Sequence, residues 1–290
     1  LIDGRPMALV GFSGAEALRQ IPSEAIERIE VITSPSARYD AEGTAGILNI
    51  ILRKNRIIGF NGSINMNTSY PERYGISTNL NFRTTKWNLF TNTGYRYRTS
   101  PGNAFTSIEY KFPDAPPTDT ALLGVDESRN FDRLGRSYFT SFGAEYFIND
   151  DSSILANVVY RLGNDNDVNT NNNQRFFSDT ALNETNLREE KEAEDENDIQ
   201  FSLDYQSDLD ENGQKLKASA QFSTSREDQE SNILQTEIIS NTINDLERVL
   251  ETEDETEALV QVDWEKPVGE DIQYEAGYRG NYRDISNSFF

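Results

Sequence analysis

Through most of the chain, apolar and polar residues alternate one by one. Ile58, Phe60, Gly62, Ile64 and Met66 alternate with Gly59, Asn61, Ser63, Asn65 and Asn67. The same alternation runs through residues 74–82, 87–97, 138–146, 154–160, 199–205, 216–222, 260–264 and 272–282. Successive side chains of an extended strand point to opposite faces, so this period predicts strands with one apolar and one polar face. About nine antiparallel strands of about 9–14 residues each are predicted, longer than the usual 5–6. Short polar turns are predicted at 84–86, 149–152, 208–213 and 267–270, with another at 70–73. The remaining connections, 99–130, 166–195 and 227–255, are long and polar and are predicted to be loops. One end of the sheet then carries turns and the other carries loops.

Residues 1–54 differ in kind. They read as a small α/β unit, with strand-like runs at 1–6, 28–32 and 47–52 and helix starts at 13–18 and 21–26. Ser23 is a candidate N-cap there, and Glu24 suits the helix dipole. The predicted organisation is therefore 1–54 followed by 55–290.

A strand with one apolar and one polar face separates an apolar medium from a wet one. A soluble antiparallel sandwich does this. So does an outer-membrane barrel, apolar toward lipid and polar toward its lumen. Three features favour the barrel. The strand length suits a tilted bilayer crossing of about 9–11 residues. The two ends of the sheet are asymmetric in the barrel's way. Aromatics sit near the ends of the apolar faces, at Trp87, Tyr97, Tyr146, Trp264 and Tyr282, where interfacial girdles belong. A barrel of about eight strands has no room for the N-terminal unit, whereas plugged barrels have about 22 strands. The strands of this chain are then part of a wall, and the chain is expected to be a piece of a longer protein.

Composition narrows the function. The 290 residues carry 49 acids and 27 bases, a net charge of −22, with no histidine and no cysteine. Disulfides, thiolate or histidine metal sites and histidine triads are excluded. So acidic a chain is a poor binder of nucleic-acid phosphate. No run of 18 apolar residues marks a membrane helix. No spacing of carboxylates marks a catalytic pocket, so no enzyme activity and no cofactor are predicted.

The stretches that carry a family resemblance are residues 1–6 (LIDGRP), 21–32 (IPSEAIERIEVI), 34–39 (SPSARY) and 43–52 (GTAGILNIIL). In this order and spacing they resemble the plug domain of TonB-dependent outer-membrane transporters, most of all the Bacteroidota outer-membrane β-barrel branch. Ser34, Asp40 and Ala45 depart from glycines common in that motif. The resemblance implies a mainly β fold: the last part of a plug, then the first strands of a large transmembrane barrel in the bacterial outer membrane. It implies import of a scarce ligand, bound at the external loops and plug apex. The TonB complex would supply work through a segment N-terminal to the plug. Ferric chelates, oligosaccharides, peptides and vitamins all remain open as ligand, and outer-membrane lipid is the surrounding partner. The competing readings are a passive, structural or adhesive barrel and a soluble carbohydrate-binding β protein.

The resemblance also marks residues. Glu30, Pro35, Tyr39, Gly43, Gly46 and Asn49 carry the plug motif, with an architectural role. Arg28, Glu30 and Arg38 are candidates for polar contacts with inward wall residues such as Arg96, Glu145 or Glu275. Tyr110, Phe112, Phe176 and Phe177 fall in predicted external loops, where they pack loop on loop or stack on a ligand. The acid-rich stretches 184–198 and 245–257 read as solvated loop faces and strand extensions, with divalent bridging to lipopolysaccharide or attraction of cationic ligands as the alternative. Residues 208–213 match the front of an EF-hand loop, but its twelfth position is Ser219 rather than glutamate. A hairpin turn is the better reading there. No metal site is predicted.

Overall fold

In a computed structural model, the structure describes residues 26–32, 47–52, 58–111, 121–180, 183–269 and 272–290. Every regular element among them is a strand. β1 (Ile26–Ile32) and β2 (Ile47–Leu52) form a separate antiparallel pair. The helix starts predicted at 13–18 and 21–26 lie outside the described residues, apart from Ile26, which opens β1.

The other ten strands build one antiparallel sheet. They are β3 (Gly59–Ser69), β4 (Arg73–Arg83), β5 (Trp87–Thr99), β6 (Gly102–Glu109), β7 (Leu122–Phe147), β8 (Ser152–Phe177), β9 (Glu184–Asp208), β10 (Lys215–Glu237), β11 (Thr242–Val268) and β12 (Ile272–Phe289). Chain neighbours are sheet neighbours throughout, with β6 set beside β7 above β5. The nine alternating segments of the sequence lie in these strands, apart from Ile58, which precedes β3. The turn at 208–213 is built as a hairpin: both Asn212 and Gln214 donate their backbone N–H to the Asp210 carboxylate at 2.9 Å, and Gly213 takes φ +90°. Asp210, the carboxylate at the third position of such a calcium loop, is spent on the turn.

Register carries the apolar face continuously across the sheet. Phe60, Phe82, Leu89, Ala144, Ala156, Leu203, Ala220, Val260 and Gly280 stand in one cross-strand row, one residue per long strand. Burial is inverted relative to a soluble core. Leu203 and Val260 are 51% and 50% exposed, while the polar Ser202 and Asp204 on the opposite face are 7% and 4% exposed. The crowded side of the sheet is the polar one, as in a barrel with lipid outside and a hydrated lumen within.

The apolar band crosses the hydrogen-bonded rows obliquely. Its upper aromatic edge is Tyr97 on β5 and Tyr282 on β12. The row through Tyr97 instead reaches β12 at Ser288, by way of Arg136, Asn164, Asp195, Asp228 and Thr252. A six-residue offset over six strand spacings corresponds to a strand tilt of roughly 35°, taking about 3.3 Å per residue and 4.8 Å per spacing. That is the inclination of transmembrane barrel strands. Rings meet at both edges: Tyr74 stacks on Tyr97 at 4.6 Å, and Trp87 lies 4.7 Å from Tyr146.

The strands are much longer than the sequence period indicates. β7 and β8 have 26 residues each and β11 has 27, against the about 9–11 that a bilayer requires. The segments 99–130, 166–195 and 227–255, expected as loops, are for the most part paired strand. Phe176 and Phe177 accordingly end β8 rather than lying in a loop. The physical reason is that an antiparallel ladder needs only backbone partners. Outside the lipid both faces are wet, so the apolar half of the alternation disappears while pairing continues. Polar cross-strand contacts take its place, such as Asn164 to Asp195 at 2.8 Å and Arg248 to Glu230 at 2.9 Å.

β5 and β6 are one strand interrupted by a proline. Thr99 pairs with Leu134 and Gly102 with Phe131, so the register on β7 is kept through the gap. Pro101 sits at the interruption, and because residue 101 faces away from β7 its missing N–H leaves the path along β7 intact.

Candidate functional site

Three groups of residues bear on function: the β1–β2 hairpin, the polar face of the wall, and the end of β7 remote from the lipid band.

In the hairpin, Glu30 pairs with Asn49 across the strands. The Asn49 amide donates to Glu30 Oε2 at 2.9 Å, and Arg28 Nε donates to Glu30 Oε1 at 2.9 Å. The Asn49 hydrogen bond, then Arg28, holds the Glu30 carboxyl below its ordinary range. Asn49 and Ile50 are buried, at 6% and 2% exposure. The structure thus brings three sequence-marked residues into one contact. Pro35, Arg38, Tyr39, Gly43 and Gly46 lie outside the described residues. Arg96, Glu145 and Glu275, the candidate wall partners, all stand on the polar face.

That face is electrostatically divided. One row runs Arg73, Arg98, Gly135, Asp165, Glu194, Gln229, Glu251 from β4 to β11. The next runs Gly75, Arg96, Ser137, Gly163, Glu196, Glu227, Glu253. Arginine dominates β4 and β5, and carboxylates dominate β8 to β11. Ion pairs stitch the seam: Arg98 to Asp165 at 3.5 Å, Arg133 to Asp167 at 3.6 Å and Arg161 to Asp198 at 3.4 Å. Beyond the seam, burial raises the Glu194 carboxyl, and Glu227 and Asp165 raise it further. Burial also raises Asp167, against the pull of Arg133.

A depression of about 260 Å³ opens on this face. Arg161 and Asp198 line one side, and Arg283 with Glu255 and Glu257 lines the other. Arg283 donates to Glu255 and approaches Glu257 at 3.0 Å. Sequence reading did not single out these residues. The signal was there in part, since alternation put Arg283 on the polar face, but their convergence depends on register between strands far apart in the chain.

The aromatics are partly gathered. Tyr110 donates its N–H to Leu123 O at 2.9 Å on one side of β7, while Phe176 and Phe177 pair with Gly124 and Leu122 on the other. Phe112 lies outside the described residues.

Residues 1–47 match the TonB-dependent receptor plug domain, and residues 207–290 match the outer membrane protein beta-barrel family. Among solved structures, the ferric citrate transporter FecA in its unliganded form aligns at 8% identity and TM-score 0.24, over 93% of this chain and 47% of that chain. The chain therefore spans about half the length of that transporter. Wzi, an outer membrane protein of Escherichia coli described as a carbohydrate-binding β-barrel involved in group 1 capsule assembly, aligns at 6% identity and TM-score 0.09, over 80% of this chain and 82% of that one. Superpositions this loose carry no argument about function.

Proposed function

From the premise that the chain is of the TonB-dependent receptor type, a plug segment followed by strands of a bacterial outer-membrane barrel, we propose that it forms part of an active importer. In this reading residues 1–54 belong to the plug and 55–290 to the wall. The long ends of β7 to β11 stand outside the cell and the short turns face the periplasm. A ligand bound at the outer mouth passes inward when TonB, engaged upstream of residue 1 in the full protein, displaces the plug.

The observation that carries this is the polar, ion-paired inner face. Plug displacement requires an interface that can part. Half-exposed charge pairs such as Arg98 with Asp165 exchange protein partners for water at small net cost, with exposed pairs worth about 0–1 kcal/mol. An apolar seam would have to expose its area at about 25 cal/mol per Å². A passive barrel has a polar lumen as well, so this face permits plug displacement and the labelling test separates the two readings.

Within these 290 residues no cysteine competes with a thiol reporter, and any cysteine elsewhere in the full-length protein is first replaced by serine. A single Leu48→Cys reporter in full-length protein should label with a thiol reagent faster in energised cells with TonB than in cells lacking it. Equal labelling in both would leave the passive reading. The motif residues Glu30, Pro35, Tyr39, Gly43, Gly46 and Asn49 are assigned to plug architecture, and Arg28, Glu30 and Arg38 to its contact with the wall.

A further inference from the structure

The cross-strand row through Tyr97 climbs out of the lipid. On the outer face it runs Tyr74, Tyr97, Arg136, Asn164 and Asp195, from β4 to β9. Tyr97 is the upper aromatic edge of the apolar band on β5. The band falls by about one residue per strand relative to the row, so each step along it gains roughly 3 Å of height. Arg136 therefore stands in the first polar layer above the lipid, with Asn164 and Asp195 in the layers above it.

These three polar groups are joined. Arg136 Nη1 donates to Asn164 Oδ1 at 3.3 Å, and Asn166 Nδ2 donates to the same oxygen at 3.0 Å. Asn164 Nδ2 donates to Asp195 Oδ1 at 2.8 Å. The Asn164 amide is thereby fixed between a cation and a carboxylate. Arg136 itself is exposed. Its guanidinium carries five N–H donors in a fork that matches phosphate.

Arg226, the outward guanidinium at a similar height on β10, is differently placed. Both oxygens of Asp228 hold it, at 2.8 and 3.1 Å, and Asp254 lies 3.9 Å away. The outward acids nearest Arg136 on the described strands are further off. Asp195 is two strands and about 10 Å away, and Asp132 is about 13 Å up β7.

The band below Arg136 shows what lies against it. Just above the apolar band, the outside of a membrane barrel meets lipid headgroups. The connection at 112–120 joins the ladder near Leu122, roughly 45 Å up β7 and beyond its extended reach of about 30 Å.

We propose that Arg136, Asn164 and Asp195 form a headgroup site on the outside of the wall for a phosphorylated glycolipid of the outer leaflet. Arg136 takes the phosphate. The second N–H of the Asn164 amide and the Asp195 carboxylate, further from the acyl chains, meet sugar hydroxyls. A glycerophospholipid offers the phosphate without the sugar and uses Arg136 alone. The site rests on the orientation taken under the proposed function, with the long ends of β7 to β11 outside the cell, and does not involve TonB.

The test uses purified, delipidated full-length protein in detergent, with lipid binding read by native mass spectrometry. Variants are compared at equal content of folded barrel, read by heat-modifiable migration on gels. Lipopolysaccharide should bind more tightly than phosphatidic acid, and phosphatidylethanolamine least. Arg136→Ala should weaken lipopolysaccharide and phosphatidic acid at least about tenfold, as for loss of a charged hydrogen-bonded contact. Arg136→Lys, which keeps the charge without the fork, should lose less. Asn164→Ala should weaken lipopolysaccharide without weakening phosphatidic acid. Lys217→Ala, on the polar inner face, should change neither.

The proposal is overturned if Arg136→Ala binds lipopolysaccharide as the unaltered protein does, or if Lys217→Ala loses as much. A preference for either phospholipid over lipopolysaccharide overturns it, as does displacement of lipopolysaccharide by excess inorganic phosphate. TonB is absent from every arm, so failure of the import reading is separable from failure of this one.

Discussion

The far end of the Phe90 ring on β5 covers Gly143 of β7, its cross-strand partner. A Cβ built at Gly143 would stand 2.2 Å from the ring. Glycine is needed at this position because the neighbouring side chain fills its space. Gly143→Ala should therefore destabilise the wall by about 1–3 kcal/mol, the usual cost of overpacking. Phe90→Ala combined with it should recover part of the loss. Urea unfolding of the full-length protein in lipid vesicles measures both, and additive losses would remove the link between the two residues.

Arg98 makes a related contact at Gly135, with its Nε 2.9 Å from where a Cβ would be and Asp165 at 2.7 Å. Gly135→Ala should push the guanidinium off Asp165. The expected outcome is weakened charge pairing at the seam, read as loss of salt dependence in wall stability, with little effect on expression.

Facing is tested by a neighbouring pair on β11. Val260 is outward, in the middle of the apolar band, and Gln261 is inward, with its amide donating to Asp263 at 2.7 Å. Val260→Arg should cost about 2–4 kcal/mol, as for a charge on the lipid face near mid-bilayer. Gln261→Arg faces a wet lumen and a carboxylate and should be close to neutral. Similar costs at the two positions would reverse the assignment of faces.

In the β1–β2 hairpin, Asn49→Ala removes the amide that holds Glu30 and leaves Arg28 as its partner. Amides of the Glu30–Asn49 rung should exchange faster and the plug should become more sensitive to protease. Asn49→Asp should be worse, since it sets two carboxylates against each other.

Acidity should act in opposite directions at two places outside the lipid. Glu194 and Asp167 have raised folded values. In the window between the unfolded and folded values the folded state then holds more protons, so stability rises as pH falls through it. Upper β8–β9 should tighten on mild acidification. At the β10–β11 turn, Glu237 is pulled down to about 2, first by the Ser240 hydroxyl and then by backbone N–H groups of Ser240, Ile239 and Thr185. Its contribution is present above the unfolded value and is lost only as pH falls toward about 2. Hydrogen exchange at pH 7, 5 and 3 should show the first region slowing before the second frays.

The sequence by itself determined which residues share the apolar face, where the tight turns fall and which stretch resembles a plug. Period-two alternation records the medium on each side of a strand, and the turns carry their own local chemistry, as Asp210 and Gly213 do. The Glu30–Asn49 contact was legible only as two marked positions. Tertiary structure decided the rest. The strands run far beyond the bilayer because backbone pairing continues where both faces are wet and the apolar signal has ended. β5 and β6 are one path because β7 holds their register across Pro101. The divided inner wall and the place of β6 beside β7 arise from pairings between residues distant in the chain, such as Arg98 with Gly135 and Gly135 with Asp165. Local alternation specifies a face but carries no information about which strand will stand beside it, or where that neighbour stops.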